Sequence, residues 1–454
     1  MWVAIAIVAV PVLLYLFAFT LNWRDQPPNA EALELAAAPL PEPIPDPANA
    51  YVYLLGFALP RVGDPTLIGA TRAEWIRKLA ADPEMSSDSD PYPGSAPDFQ
   101  QVPEALAPVL TPCGNPDAGC VAAFETAAAA LGEQLEQQRP LIERYRTLLT
   151  FRAWRDVSTR DLRSPLPPYA EVGYARRLFL LDTWLLAAAG NATEVRARLD
   201  ADLVFWRMAL VESDFTFGKV IAASYANLNF LWGNLILRQL PPERRADGVP
   251  ESWRKPITDP ERSMRRALTN EWRVVDASLR FMKEHDLEFP RTRAGQPRPF
   301  LGRMEAKLEL PLFKAQATSN RYAAMYVKLD ALLSVPYAEL GEAVARAAEA
   351  DEPPKGVLAV TYNVFGNALG DPEPSLFANE AARVADLEGG RRAALMTADL
   401  RVLKIPPELA AAMIPLAASR DPYTGGPFVW TAEPATVSFT GLERTSDTRH
   451  RFLY

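Results

Sequence analysis

The chain has 454 residues, 49% of them apolar and 23% charged, and a formal net charge of −8. This suits one large folded domain or two or three smaller units, and it excludes a disordered chain or one that crosses a membrane many times. The acidic balance also argues against nucleic acid, because phosphate neutralisation needs a clustered basic face, whereas Arg262, Arg265 and Arg266 sit beside Glu261 and Glu271.

Residues 2–21, "WVAIAIVAVPVLLYLFAFTL", run without a charge for the length of a membrane-spanning helix. Pro11 is tolerated in such a helix, and Trp2 and Trp23 fall near its ends, where aromatic rings favour the interface. Asn22, Trp23 and Arg24 follow where a signal peptide would carry a small-residue cleavage site, so an uncleaved anchor over 1–24 is expected. Residues 25–50 hold prolines at 39, 41, 43, 45 and 47, which favour an extended spacer.

From 51 to 120 the reading is loop-rich, with the apolar "AYVYLLGFALP" packed on the body as a clasp and a short helix over 73–81. Cys113 and Cys120 flank the turn-forming "GNPDAG", which suits a disulfide. Zinc would want more ligands, and the only histidines, His285 and His450, are far away in sequence. A disulfide implies an oxidising compartment, while two free thiols in a cytosolic loop remain the alternative. Arg24, lying after the span, favours the opposite orientation by positive-inside counting. The disulfide outweighs it, giving a single-pass protein of a bacterial inner membrane with most of the chain in the periplasm.

A helical domain is expected over 121–420. Helices are read over 121–138 and, after Pro140, over 141–157; "PLPPY" at 165–169 ends the second. A helical hairpin turns at Gly190 and Asn191, and its second arm carries Val195, Leu199, Leu203, Trp206 and Leu210 as one buried stripe. The nearly all-apolar 216–239 segment predicts a central helix. Further helices are read at 261–285, 303–334, 337–350, 374–403 and 406–418, about ten in all, as irregular stacked hairpins without a fixed repeat. Turn chemistry in "DPYTGG" and two short apolar runs predict a β-hairpin and tail over 421–454. The fold class is therefore mainly α: a transmembrane helix, a proline-rich spacer, a multi-helix domain and a small C-terminal β-hairpin.

Strong chemical motifs do not occur: there is no nucleophile elbow, Walker loop, dinucleotide fingerprint or H-E-x-x-H, so no cofactor, nucleotide or metal site is expected. Lys219 in "FGKV" reads as a helix-surface residue and His285 as a helix end. "LEGGRR" at 387–392 reads as an interrupted helix, with an anionic head group or glycan as the functional alternative. The one enzymatic candidate is Glu212 in "ALVESDFTFG", which resembles the E-S-x-F start of the lytic transglycosylase motif, whose glutamate is the general acid. The downstream G-L-M-Q-like element of that family is missing. Glu212 and Asp214 read more simply as the polar end of one helix and the N-cap of the next.

Read together, "LDADLVFWRMALVESDFTFGKVIAASYANLNFLW" at 199–232, "VADLEGGRRAALMTADLRVLKIPPE" at 384–408 and "DPYTGGPFVW" at 421–430 resemble an uncharacterised family of proteobacterial proteins. That resemblance implies an N-terminal membrane helix, a helical extracytoplasmic body and a closing D-P-[YF]-T-G-x-P segment, and it carries no functional residue. The expected function is a non-enzymatic, membrane-tethered protein that binds or scaffolds another envelope protein or a glycan. The alternative is a peptidoglycan- or carbohydrate-acting enzyme with Glu212 as general acid.

Overall fold

The computed structural model describes residues 2–59, 63–82, 85, 90–94, 106–110, 118–159, 163–285, 287, 300–348, 361–370, 373–443 and 449–454. The chain is mainly helical, with a small antiparallel sheet at its C-terminal end. Helix α1, Trp2–Leu21, turns Val12, Leu13, Leu14, Leu16 and Phe17 outward. Its end is fastened to the body: buried Asn22 donates to the Thr361 carbonyl at 2.7 Å and accepts from the Asn363 N–H at 2.7 Å. Asp25 accepts from the N–H groups of Gln316 and Ala317, capping the helix that begins at Ala315. Among the described residues, the helix long and apolar enough to cross a membrane is Thr216–Gln239, not the N-terminal one, whose described apolar stretch is Ala9–Leu21. The Thr216–Gln239 window is 72% buried, as the core helix of a folded body would be.

The 25–50 segment is docked on the body, which corrects the spacer expectation. Asn29 caps α2, Ala30–Ala37, and pairs with Asn320 through both its backbone N–H and its side-chain amide, while Ala32 and Leu35 are buried. Proline does keep 38–45 extended, but the extended chain lies across the body as a strap. The apolar run that follows is a helix, α3, Ala50–Leu55, with all six residues buried. It packs on α4, Pro65–Ala81, so closely that a Cβ on Gly69 would stand 2.0 Å from the Val52 carbonyl oxygen. The 51–120 region is therefore richer in helix than its composition suggests, and it also holds the short α5, Ala107–Leu110.

Helices α6, Ala118–Gln137, and α7, Arg139–Leu148, meet at Pro140 as expected. Beyond α7 the chain does not stay helical to 157. Ala153 and Arg155 are held extended by hydrogen bonds to Asn49 and Ala50, and Trp154 is buried between them. The expected hairpin is present: α8, Tyr169–Ala188, ends where the Gly190 N–H bonds Ala187 and the Asn191 N–H bonds Leu186, with Gly190 at φ 78°. In α9, Ala192–Glu212, the five stripe residues are all buried, and α10, Thr216–Gln239, is the central helix, packed on α8 and α9.

Short helices α11, Arg245–Gly248, and α12, Asp259–Arg262, lead to α13, Arg265–Glu284. The region read as one helix over 303–334 is two, α14, Phe300–Glu309, and α15, Ala315–Leu333, because Pro311 interrupts them. After α16, Tyr337–Ala347, and α17, Val364–Ala368, comes α18, Pro374–Val402, which packs on α10 from the other side. It runs unbroken through Gly389 and Gly390, correcting the interrupted-helix reading. These glycines serve packing: a Cβ on Gly389 would lie 2.4 Å from the Phe439 ring.

Helix α19, Pro407–Met413, precedes the sheet. Strands β1, Val429–Thr431, β2, Thr436–Thr440, and β3, Arg449–Leu453, pair antiparallel in that order, with Val437 opposite Phe452. The expected hairpin thus gains a third strand from the polar tail, whose strand character comes from pairing with β2. Tyr423 of the "DPYTG" turn donates to Asp386 of α18 at 2.5 Å, and Asp386 also accepts the N–H groups of Leu442 and Glu443. This docks the C-terminal unit on the helical body.

Candidate functional site

The C-terminal end of α9, the first half of α13, the extended 155–158 segment and the 38–44 strap enclose a cleft. Its main hollow has a volume of about 800 Å³ and adjoins a second of about 330 Å³, with Leu40, Pro41, Arg155, Asn270 and Arg273 lining both. A third, of about 360 Å³, continues past Asp156, Phe215 and Val274. Strap and body are joined by Arg155 Nε, 3.1 Å from the Glu42 carbonyl, and by Arg273, which donates to the Ala38 carbonyl.

Glu212 lies in this cleft, at the last residue of α9. Its Oε2 accepts from Arg266 Nη1 at 2.9 Å and pairs with Arg155 Nη2 at 3.3 Å. Arg266 Nε reaches Asp214 Oδ1 at 2.7 Å, so one guanidinium bridges both acids in the two-pronged manner that arginine favours. Asp156 completes the group: its carboxylate accepts the Asp214 N–H at 2.8 Å and the Trp154 indole N–H at 2.6 Å. Arg155 Nη1, Arg266 Nη2 and the hydroxyl of Ser213 are buried without a hydrogen-bond partner.

Burial, and next the charge of Asp156, push the Asp214 carboxyl up to about 8; Arg155 and Arg273 pull against this. Asp156 is raised too, chiefly by burial, with the hydrogen bonds from Asp214 and Trp154 opposing. Asp214 is not the N-cap of α10. That position belongs to Phe215, which has no side-chain cap, and the N–H of Thr216 is met by Glu271 Oε1 at 3.1 Å. Burial raises Glu271 as well.

Lys219 also departs from its expected place on a helix surface. It is buried, with Nζ donating to the Leu210 and Glu261 carbonyls, and burial pulls it down to about 7. The Leu210 contact satisfies one of the carbonyls left open at the end of α9.

Other sequence candidates fall outside the cleft. His285 ends α13, stacked on Phe281 with Nδ1 2.9 Å from the Phe281 carbonyl, which is a helix-end role. His450 sits on β3 against Phe439, 3.4 Å from Asp386. Cys113, and with it the expected pairing, lies outside the described residues; Cys120 is buried on α6. In the 387–392 segment Glu388 holds Arg391 and Arg392 at 2.7 and 2.6 Å, a closed internal pair network. Among the described residues no group of three or more His, Cys, Asp and Glu is placed to hold a metal ion.

Sequence reasoning found Glu212 and Asp214 but missed Arg155, Asp156, Arg266 and Arg273. The first two were absorbed into a helix that does not extend so far. A signal for the others existed: Arg266, Asn270 and Arg273 recur at helical spacing and form one polar stripe facing the acids. No protein-family model, curated protein or solved structure matches the chain.

Proposed function

We propose that this chain is a membrane-tethered, non-enzymatic protein of the bacterial cell envelope that binds or scaffolds another envelope component, a protein or a glycan, and receives it in the strap-covered cleft. The observation that carries this reading is the hollow of about 800 Å³ where α9, α13 and the strap meet. It has the size of a binding pocket and brings a few polar groups together on elements held by the core. The tether is α1, which is uncharged and exposes Val12, Leu13, Leu14, Leu16 and Phe17, with Trp23 exposed beyond its end. Placement in the periplasm, with α1 as the single span, rests on the expected Cys113–Cys120 disulfide, and the proteobacterial resemblance of the 421–427 segment agrees with it. A photo-crosslinking residue at Leu40 or Phe215 of the full chain in intact membranes should trap a discrete partner that the same group at exposed Glu133 does not. No adduct from either cleft position would remove the reading. A phosphatase fused after Tyr454 should be active; an inactive fusion would overturn the periplasmic placement.

A second reading, a carbohydrate-acting enzyme, is favoured by one feature: the cleft holds a second acid beside Glu212. General acid catalysis needs a protonated carboxyl near neutral pH; burial and Asp156 push Asp214 up to about 8, and it is held by one guanidinium group where Glu212 is held by two. The acid role would then pass from Glu212 to Asp214. Peptidoglycan turnover by the wild type that is abolished in Asp214→Asn supports this reading, and no turnover by the wild type removes it.

A further inference from the structure

The half-buried arginines of the cleft, Arg155 and Arg266, differ from the buried Arg391 and Arg176. Arg391 spends its donors on Glu388 and the Trp253 carbonyl, and Arg176 spends its own on Asp202 and the Tyr225 carbonyl. In the cleft, Arg155 and Arg266 are just as firmly held, by Glu42, Glu212 and Asp214, yet each keeps one buried nitrogen with nothing to donate to. Buried donors are normally satisfied, so two on adjacent guanidinium groups ask for an acceptor. The two groups meet at a single oxygen, Glu212 Oε2, through their other terminal nitrogens, Arg155 Nη2 and Arg266 Nη1, which places the two guanidinium groups side by side in the cleft. Ser213, only 1% exposed and lining the same hollow, adds a hydroxyl without a partner.

We infer that the cleft contains an oxyanion subsite, in which a phosphate or carboxylate group of the ligand accepts hydrogen bonds from Arg155 Nη1, Arg266 Nη2 and the Ser213 hydroxyl. Guanidinium groups suit such ligands because their planar donors match the spacing of oxyanion oxygens. The local charge permits it. Glu212 is neutralised by the two arginines it bridges, Asp214 is pushed towards its protonated form by burial and Asp156, and Arg273 lines the same hollow. The donors are shielded beside the strap, where Arg155 also holds Glu42, so the ligand and the strap share one arginine.

This inference rests on the cleft being the binding site, and the experiment separates the two claims. The full chain in detergent is titrated with inorganic phosphate and with succinate by calorimetry. For a lipid-borne source, the full chain is placed in phosphatidylcholine nanodiscs with or without phosphatidylglycerol, and hydrogen exchange of residues 38–44 is followed. Expected are saturable binding of one anion, about tenfold weaker in Arg155→Lys and several-fold weaker in Ser213→Ala, and unchanged in Arg146→Gln on exposed α7. Protection that requires phosphatidylglycerol assigns the anion to a lipid head group, and binding of the soluble anions assigns a free ligand; either supports the subsite. Ser213→Ala removes only a hydroxyl, so it tests the site even where an arginine variant fails to fold. The inference is overturned if the wild type neither binds either anion nor responds to phosphatidylglycerol, or if Arg155→Lys and Ser213→Ala bind as the wild type does. A partner crosslinked at Phe215 without any anion response leaves the binding role standing and removes the subsite; anion binding without a crosslinked partner does the reverse.

Discussion

Two arginine–carboxylate networks share helix α9 in this protein, one at Asp202 and one at Glu212, and they differ in kind. Between α7, α8, α9 and α10, Arg176 and Asp202 form a pair with side chains 1% and 0% exposed. Asp202 also accepts from Tyr145 and Asn229, Tyr145 accepts from Trp206, and Asn229 accepts from Trp253. That network is closed. At the end of α9 the Glu212, Arg266 and Arg155 side chains are 31%, 29% and 18% exposed, and donors are left over. A polar network that serves only the fold can be completed from within, because the chain supplies every partner. One that awaits a ligand leaves part of its bonding capacity unused.

The largest effect is expected where the closed network is broken. Asp202→Ala would leave Arg176 charged and unpaired in the core, and about 3–5 kcal/mol of stability should be lost. Urea unfolding measures this, and a loss under about 1 kcal/mol would erase the distinction between the networks. Replacing both partners, Arg176→Met with Asp202→Leu, should cost less than the single change, since no buried charge remains.

Gly389→Ala comes next. In the platform formed by α18 and β2, the added methyl would meet the Phe439 ring at 2.4 Å. Overpacking of this kind costs about 1–3 kcal/mol, and Phe439→Leu in the same chain should recover part of it. The thermal midpoints of the single and double variants give the answer.

The contrast also explains which parts of the structure were readable from sequence. Period and composition reveal apolar burial, so the α8–α9 hairpin, the five-residue stripe of α9 and the central α10 could all be read. The same stripe carries Asp202, however, and nothing in its spacing tells that its partner Arg176 lies on α8. The extended 151–159 segment depends on Asn49, about a hundred residues earlier, and strap docking depends on Asn320 and Arg273. Local pattern said helix in the first case and free spacer in the second. Glu212 was found because it sits in a noticeable tetrapeptide, but the arginines that define its surroundings come from two other regions of the chain.

A pH series reads two groups on the cleft side, Asp214 and Lys219, whose shifts have opposite signs. Asp214, raised from about 4 to about 8, holds a proton in the folded state that the unfolded chain has lost, so its contribution makes stability fall as pH rises through that window. Lys219, lowered from about 10.5 to about 7, acts oppositely: the unfolded chain holds the extra proton, so stability rises between those values. In the closed network burial and Asp202 push Tyr145 up, so it stays neutral throughout, and the charge of Asp202 holds Arg176 protonated against its burial. Thermal midpoints of the wild type should therefore dip near neutral to mildly alkaline pH. Asp214→Asn should flatten the acid-side slope and Lys219→Met the alkaline-side one. Slopes unchanged in both variants would mean that neither group titrates as its burial demands.

The smallest effect belongs to Glu212→Gln. The amide keeps the shape and one acceptor oxygen, Arg266 keeps its bond to Asp214, and water reaches the side chain, so the stability change should stay within about 1 kcal/mol. The matching change in the closed network, Asp202→Asn, puts an amide where four donors converge on one carboxylate, and it should cost several times more. The two midpoints in urea thus form a direct ratio. A ratio near one would mean that the cleft acids hold the fold together as Asp202 does. A large ratio leaves Glu212 and its arginines free of that duty, and only such a group can exchange an internal partner for an external one without loosening the core.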